Sequence, residues 1–423
     1  MAPMPVGPAA RDVEIGMPRT HHAHGTPPPL PAAAWVRTSE ELRGLAAALA
    51  GAGIIGLDSE SDSLHSFPEK VCLLQVAAGD APVSLVDPLA VGDLSPLAPL
   101  CADPVTVKVF HGASYDLSSM KRDFGFEFAG IFDTMVAAQF LGLPELGLTS
   151  LLERFFGIPP GRSRQKDDWA RRPLTPAQKF YAAQDVRYLI PLRERLLAEL
   201  SARGRADWVR EECEALAMIP AVKRVFDPDD YVRVKGAREL DGRGLAVLRE
   251  LFVAREGWAR GAGRPPFKVL GNDSLVRLAA ERPRTREGLL TVPGCSPKVV
   301  ERYGDGLLAA VARGRSISEA ELPTYPRPKK PRVPPGMQRR IDAVTRWRAK
   351  AAEQFGLDPG LLLPRRLIER LAEEVPADLD ALRGMDGLRR WRSETFGESI
   401  LVALAAAAPA DRPRPKSAPG REP

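Results

Sequence analysis

The 423-residue chain places four acids and a tyrosine in three short segments of its first half: Asp58 with Glu60, Asp116, and Tyr181 with Asp185. Asp58 and Glu60 follow the apolar run Ile54-Ile55-Gly56-Leu57 and stand at i and i+2, which share a face on a strand. Tyr181 and Asp185 stand at i and i+4, which share a face on a helix. Four converging carboxylates supply about the charge needed by two divalent cations. Held ~3.5–4 Å apart, such a pair activates a water and stabilises the leaving oxygen as a phosphodiester is cut in line. Oxygen-only ligands favour Mg²⁺ or Mn²⁺ over zinc. Without metal the carboxylates repel and raise one another's pKa values. A phenol titrating near ~10 is a poor general base at neutral pH, so Tyr181 is expected to orient the attacking water by a hydrogen bond. Singly, these signals are weak: Asp-x-Glu at a strand end is common on solvated surfaces, and Asp116 alone reads as first-turn helix charge.

The elements that must carry these residues are legible in outline. A short helix is expected from Ser39 to Leu49, then strands at 53–58, 71–78, 83–87 and 105–110 and helices at 114–122, 133–141, 148–156 and 176–200. Strands first and helices packed on them afterwards imply an α/β or α+β domain with a mixed sheet. The segment Leu174-Thr175-Pro176-Ala177-Gln178 is a helix start, with Thr175 as cap, Pro176 at the first helical position and Gln178 reaching back. That fixes Tyr181 and Asp185 in the early turns of one helix. Asp133 is expected to brace the start of its own helix through backbone N–H groups.

Beyond about residue 205 every periodic stretch is helical. The stiff cationic run 323–336 divides this half into two units with weakly similar order. The first contains Leu248-Arg249-Glu250-Leu251, Arg264-Pro265-Pro266-Phe267 and Glu301-Arg302-Tyr303-Gly304, and the second contains Trp347-Arg348, Leu361-Leu362-Leu363-Pro364 and Thr395-Phe396-Gly397. Net charge is +6, but residues 33–200 carry about −5 and residues 201–423 about +11, so an acidic metal-binding body precedes a part suited to a polyanion. Cys72, Cys101, Cys213 and Cys295 lie far apart without metal or redox spacing, and Cys72 reads as a reduced core thiol. There is no run of signal-peptide or membrane-spanning length, which points to a cytoplasmic protein with no membrane association. The Pro-rich segment 1–32, with His21, His22 and His24, and the segment 409–423 are expected as disordered tails.

Taken together, the segments Leu57-Asp58-Ser59-Glu60, His111-Gly112-Ala113-Ser114-Tyr115-Asp116-Leu117 and Tyr181-Ala182-Ala183-Gln184-Asp185-Val186 resemble the ribonuclease D family of DEDD-type 3′→5′ exonucleases. Phe132-Asp133-Thr134 and Trp169-Ala170-Arg171-Arg172-Pro173-Leu174 resemble two further signatures of that family, the second of them quite specific, and the match spans roughly residues 35–400. Ser59 stands where the family often has Thr, and Asp168 where it often has Ser; neither change removes a ligand. The resemblance implies a ribonuclease H-like exonuclease domain at 33–205, with a mixed central sheet flanked by helices. It implies a connecting helical segment at 206–234 and two all-α HRDC-like bundles at 235–317 and 337–408, joined by a linker at 318–336. It implies Asp58, Glu60, Asp116 and Asp185 as ligands of two Mg²⁺ or Mn²⁺ ions. Tyr four residues before the last Asp, with Phe180 where another branch carries His, implies the tyrosine branch.

The activity so implied is release of nucleoside 5′-monophosphates from the single-stranded 3′ ends of structured RNA such as tRNA precursors, with no obligate protein partner evident. The alternatives are a DNA 3′→5′ exonuclease and a catalytically silent RNA-binding scaffold. Around the acids, His111 reads either as a contact to phosphate or a metal-borne water, or as a strand-end imidazole bonded to backbone. Trp169 reads either as a stacking platform for a terminal base or as a packing anchor. Arg162, Arg164, Lys166, Arg171 and Arg172 read either as phosphate contacts or as a solvated basic loop.

Overall fold

The computed structural model describes residues 33–222, 225–326 and 333–407. The His21–His24 cluster, the linker cations Arg327, Lys329, Lys330 and Arg332, and the segment 409–423 lie outside the described residues.

The first domain is a six-stranded mixed sheet of β1 (Ala34–Val36), β2 (Ile54–Ser61), β3 (Val71–Ala77), β4 (Ser84–Val86), β5 (Val107–Phe110) and β6 (Ile131–Asp133), in the order β1-β4-β3-β2-β5-β6. β2 pairs antiparallel with β3 and parallel with β5, so the acid-bearing strand is central. Three-residue strands at either edge, β1 and β6, complete the sheet beyond the four anticipated. The flanking helices are α1 (Ser39–Leu49), α2 (Pro88–Val91), α3 (Ala98–Ala102), α4 (Ser114–Phe124), α5 (Thr134–Leu141), α6 (Leu148–Phe156), α7 (Pro176–Arg187), α8 (Leu189–Ala202) and α9 (Ala206–Ala217). The cap of α1 is Thr38, which forms a capping box with Glu41, one residue ahead of the expected start. The single helix expected over 176–200 is broken at Tyr188 (φ −100°, ψ 1°), which separates α7 from α8. Helix α9, anticipated as a connector, buries Trp208, Val209 and Cys213 in the same core as the sheet and belongs to this domain's helical layer.

Two five-helix bundles follow. Helices α10 (Gly242–Ala262), α11 (Pro266–Val269), α12 (Asn272–Glu281), α13 (Arg286–Leu290) and α14 (Pro297–Ser316) form the first. Helices α15 (Pro335–Phe355), α16 (Pro359–Leu362), α17 (Arg365–Glu374), α18 (Leu379–Arg383) and α19 (Arg390–Ala405) form the second. Helix lengths run 21, 4, 10, 5 and 20 residues in one and 21, 4, 10, 5 and 16 in the other, the signature of a duplicated unit.

The bundles meet the first domain differently. The second shares one continuous apolar core with it: Trp391 stacks on Trp208 at 4.5 Å between ring centroids and meets Phe140 edge-on at 5.4 Å. Arg205 donates to the carbonyls of Phe140 and Phe355, and Trp391 Nε1 and Arg392 both donate to Glu212. The first bundle keeps its own core and touches the first domain through a small cluster of Phe67, Ala259 and Val269.

Gly142 makes the second docking possible. It ends α5 in the left-handed region at φ +73°, and a Cβ there would collide with the Gly356 carbonyl oxygen. Gly125 ends α4 at φ +68°, but faces open space. Gly125→Ala should therefore cost only the left-handed strain of about 1–2 kcal/mol. Gly142→Ala should add roughly 1–3 kcal/mol of overpacking. Thermal melts of the two variants, with limited proteolysis of the second bundle, check this; equal melting temperatures and equal resistance would count against the docking role of Gly142.

Candidate active site

Gly56, Asp58 and Glu60 alternate onto one face of β2. Helix α7 lies over that face, and Gly56 is what lets it approach: a Cβ there would stand 3.1 Å from the Val186 carbonyl oxygen. The helix start is set as its sequence requires, with Gln178 N–H donating to Thr175 Oγ1 at 3.2 Å and Thr175 N–H to Gln178 Oε1 at 3.0 Å. Asp185 is thereby carried to the strand. One carboxylate oxygen from each of Asp58, Glu60 and Asp185 lies within 4.8 Å of the others, an all-oxygen set of the kind a hard divalent cation takes. The Tyr181 hydroxyl, one helical turn before Asp185, hydrogen-bonds to it.

Asp116 enters from the first turn of α4 and is not part of that tight group. Ser59, the residue between the two β2 acids, donates to Asp116 Oδ1 at 2.5 Å. The turn that delivers Asp116 is held from below by Asp133, whose carboxylate accepts from the N–H groups of Gly112 and Ala113 at 2.9 and 2.8 Å. It also accepts from Met135 and Val136 of its own helix. A cavity of about 680 Å³ opens over these residues, walled by Asp58, His111, Met135, Phe180, Tyr181 and Asp185.

Residues 33–201 match the 3′-5′ exonuclease family profile, and residues 244–311 and 337–404 each match that of the HRDC domain. Ribonuclease D of Acidiphilium cryptum (strain JF-5) is 33% identical over 389 residues, covering 90% of this chain and 96% of that one. Ribonuclease D of Pseudomonas paraeruginosa (strain DSM 24068 / PA7) is 34% identical over 360 residues, covering 84% and 92%. The chain belongs to the ribonuclease D family. Among solved structures, Escherichia coli RNase D, described as an exoribonuclease involved in structured RNA processing, is similar with a TM-score of 0.64 at 28% identity, over 88% of this chain and 99% of that one. A protein from Bifidobacterium adolescentis shares the fold with a TM-score of 0.74 at 23% identity, over 88% and 97%.

Within this ribonuclease D site the remaining sequence candidates separate sharply. Trp169 is fully buried and lies behind Tyr181, 6.2 Å between ring centroids, so it offers no face to a base; the stacking alternative gives way to the packing one. Arg172 is likewise spent inside the fold. Its guanidinium takes both oxygens of Asp87 at 2.7 Å and the carbonyls of Trp169 and Cys72, fastening the loop to β3 and to the end of β4. A cation so engaged is corrected from phosphate contact to structural staple. Arg162 and Arg164 line the cavity, Arg164 also pairing with Asp167 at 2.9 Å, while Lys166 and Arg171 are exposed. Sequence reading missed Gln75, the cross-strand partner of Asp58. It is fully buried, and both its amide atoms lack a hydrogen-bond partner among the described residues. A polar residue amid the apolar run of β3, at the register of the first acid, was the available signal.

Burial first, and the neighbouring acids after it, push Glu60 up to about 9 and Asp58 well above the carboxylate range. Burial also raises Asp185 to about 7, against the Tyr181 hydrogen bond, and Asp116 to about 6, against that of Ser59. These carboxyls hold protons more tightly in the folded chain than in the unfolded one. The stability this confers is complete below the unfolded values and is lost as pH rises through about 6 to about 9. Metal-stripped protein should accordingly melt progressively lower across that window. Mg²⁺ or Mn²⁺ should restore stability most at the alkaline end, where fewer protons must be displaced. Glu60→Gln should flatten the decline. Calorimetric scans in chelator and in metal check all three, and a flat profile in chelator would contradict the assignment.

Proposed function

We propose that the chain is a metal-dependent 3′→5′ exoribonuclease that releases nucleoside 5′-monophosphates from the 3′ ends of structured RNA, tRNA precursors among them, acting in the cytoplasm. The observation that carries the reading is the convergence of the Asp58, Glu60 and Asp185 carboxylates, with Asp58, Asp185 and Tyr181 lining one cavity, within a chain matched along most of its length by ribonucleases D. Asp58, Glu60 and Asp185, with Asp116 beside them, are the residues that would hold two Mg²⁺ or Mn²⁺ ions. Such ions, when bound, lower the pKa of an attacking water and stabilise the leaving 3′ oxygen.

The protein's own part is positioning. Burial, and after it the surrounding carboxylates, raise the pKa of Tyr181, so its phenol keeps its proton. It donates to Asp185, and its oxygen lone pair is left to accept a hydrogen from the attacking water and aim it at the phosphorus. Arg162 and Arg164 line the cavity where an incoming backbone needs positive charge against the acidic floor, and the exposed Lys166 follows them in the loop.

The decisive experiment uses purified protein with Mg²⁺ or Mn²⁺ on matched RNA and DNA oligomers, beside Asp58→Asn. Metal-dependent release of 5′-mononucleotides from the RNA 3′ end, abolished in Asp58→Asn, is expected. Release from DNA alone would replace the substrate, and binding without release would leave a scaffold. Tyr181→Phe should lower kcat on the order of 10²-fold while metal affinity hardly moves.

The cations divide by their bonding partners. Replacing Arg162 and Lys166 by alanine should make the salt dependence of RNA binding shallower, by about 0.7 in log–log slope for each phosphate that is no longer neutralised. Arg172→Ala should lower the melting temperature and leave that slope alone. Identical slopes for the double variant and the parent would remove the rim cations from binding.

A further inference from the structure

His111 has its protonation pattern written into its surroundings. Its Nδ1 lies 2.9 Å from Thr134 Oγ1, and Thr134 Oγ1 lies 3.0 Å from the Phe110 carbonyl oxygen. A carbonyl only accepts, so the single hydroxyl hydrogen of Thr134 goes to Phe110, and Thr134 must receive from His111. Nδ1 therefore carries the hydrogen, and in the neutral ring Nε2 carries a bare lone pair. Burial holds the imidazole below its ordinary range, with Asp133 opposing only in part, which keeps the ring neutral at working pH. Nε2 has no hydrogen-bond partner among the described residues, and the ring forms part of the cavity wall with Asp58, Tyr181 and Asp185.

An unpartnered lone pair on a residue of this cavity wall selects a donor. Phosphate oxygens and the furanose ring oxygen only accept, so they are repelled rather than bound. Amino groups on the bases differ from one nucleotide to the next, and an enzyme that removes each in turn cannot depend on them. Sugar hydroxyls are the donors present at every RNA 3′ end. We propose that His111 Nε2 accepts a hydrogen bond from a ribose hydroxyl of the 3′-terminal nucleotide and is thereby a specificity-determining residue. Thr134, through its bond to Phe110, is the positioning residue that fixes the acceptor state. The inference rests on the reading of the cavity as the seat of a nucleotide 3′ end.

The test uses the full chain with Mn²⁺ or Mg²⁺ and three oligoribonucleotides that differ only at the last residue: ribo, 2′-deoxy and 3′-deoxy. Release of the first nucleotide is followed as kcat/KM. The parent protein should disfavour at least one deoxy end by about 3- to 10-fold, the worth of one neutral hydrogen bond. The arm that responds identifies the hydroxyl. His111→Phe should reduce the rate on the ribo end to that on the responding deoxy end, erasing that ratio. Thr134→Val keeps the imidazole but frees its tautomer, and should narrow the same ratio; it serves as the test should His111→Phe fail to fold, as judged by circular dichroism. Equal rate losses on all three ends, with ratios unchanged, would mean a histidine that is structural or that faces the attacking water, and would overturn the proposal. So would a parent enzyme indifferent to both hydroxyls. A parent protein that releases nothing from any end would instead defeat the exonuclease reading itself.

Discussion

Mutual repulsion among half-buried carboxylates is the constraint on which this architecture turns. Two unit charges 4 Å apart repel by about 4 kcal/mol at the effective dielectric near a protein surface, and three or four such groups left to local preference would splay into solvent. Here the backbone withholds that freedom. Asp58 and Glu60 are locked by the pairing of β2 with β3, opposite Gln75 and Leu73, while β5 holds the strand from its other side up to Gly56. Asp185 is delivered by a helix whose start is fixed by the Thr175–Gln178 box and whose approach is permitted by Gly56. The turn bearing Asp116 is tied to Asp133 by two backbone hydrogen bonds. Protons, or the cations that displace them, then settle the electrostatic balance, since the geometry cannot relax to do so.

The same demand explains the uses to which the loop between α6 and α7 puts its cations. Arg172 is consumed by Asp87 and main-chain carbonyls, and Trp169 is sunk beneath Tyr181. Together they make a rigid floor under the tyrosine. Arg162 and Arg164 border the cavity over the acids instead. One loop thus supplies the support that holds the phenol and the charge that borders the cavity, and neighbouring residues of like chemistry do different jobs. The Phe132-Asp133-Thr134 segment behaves similarly. Asp133 serves the Asp116 turn as well as its own helix, and Thr134 links Phe110 to His111.

Most of the central sheet and the helix starts were legible because they follow from local rules: alternation in β2, an apolar run in β3, and a cap and proline before α7. What escaped depends on partners distant in sequence. β1 and β6 are three residues long, too short for a period to register. The break at Tyr188 is the exception, a local signal: Pro191 lacks the N–H that would bond the Arg187 carbonyl four residues back. Trp169 carries no local sign of whether its ring faces a base or the core, because that is decided by Tyr181 and the floor around it. The second use of Asp133, the grip of Ser59 on Asp116 and the seating of Trp391 against Trp208 each join segments more than 20 residues apart. Repetition in the helical half was readable for the opposite reason, since a duplicated unit repeats its own local pattern.

The two bundles, alike in helix order, are anchored by different physics. The second is joined through stacked indoles, a buried arginine to two main-chain carbonyls and a shared apolar core. Separating it would expose large aromatic surface and strand polar groups. The first is joined through a three-residue apolar cluster and polar contacts at a rim. Lys268 of α11 donates to His65 Nδ1 at 3.3 Å, and His65 Nε2–H donates to the Lys166 carbonyl at 3.0 Å. Lys166 belongs to the loop that carries Arg164 to the cavity. The strongly anchored bundle is therefore the structural one, extending the catalytic domain's core. The lightly anchored bundle is the one linked, through His65 of the first domain, to the loop that borders the cavity. Duplication supplied two copies of one fold, and the interface each copy acquired sets what it can do.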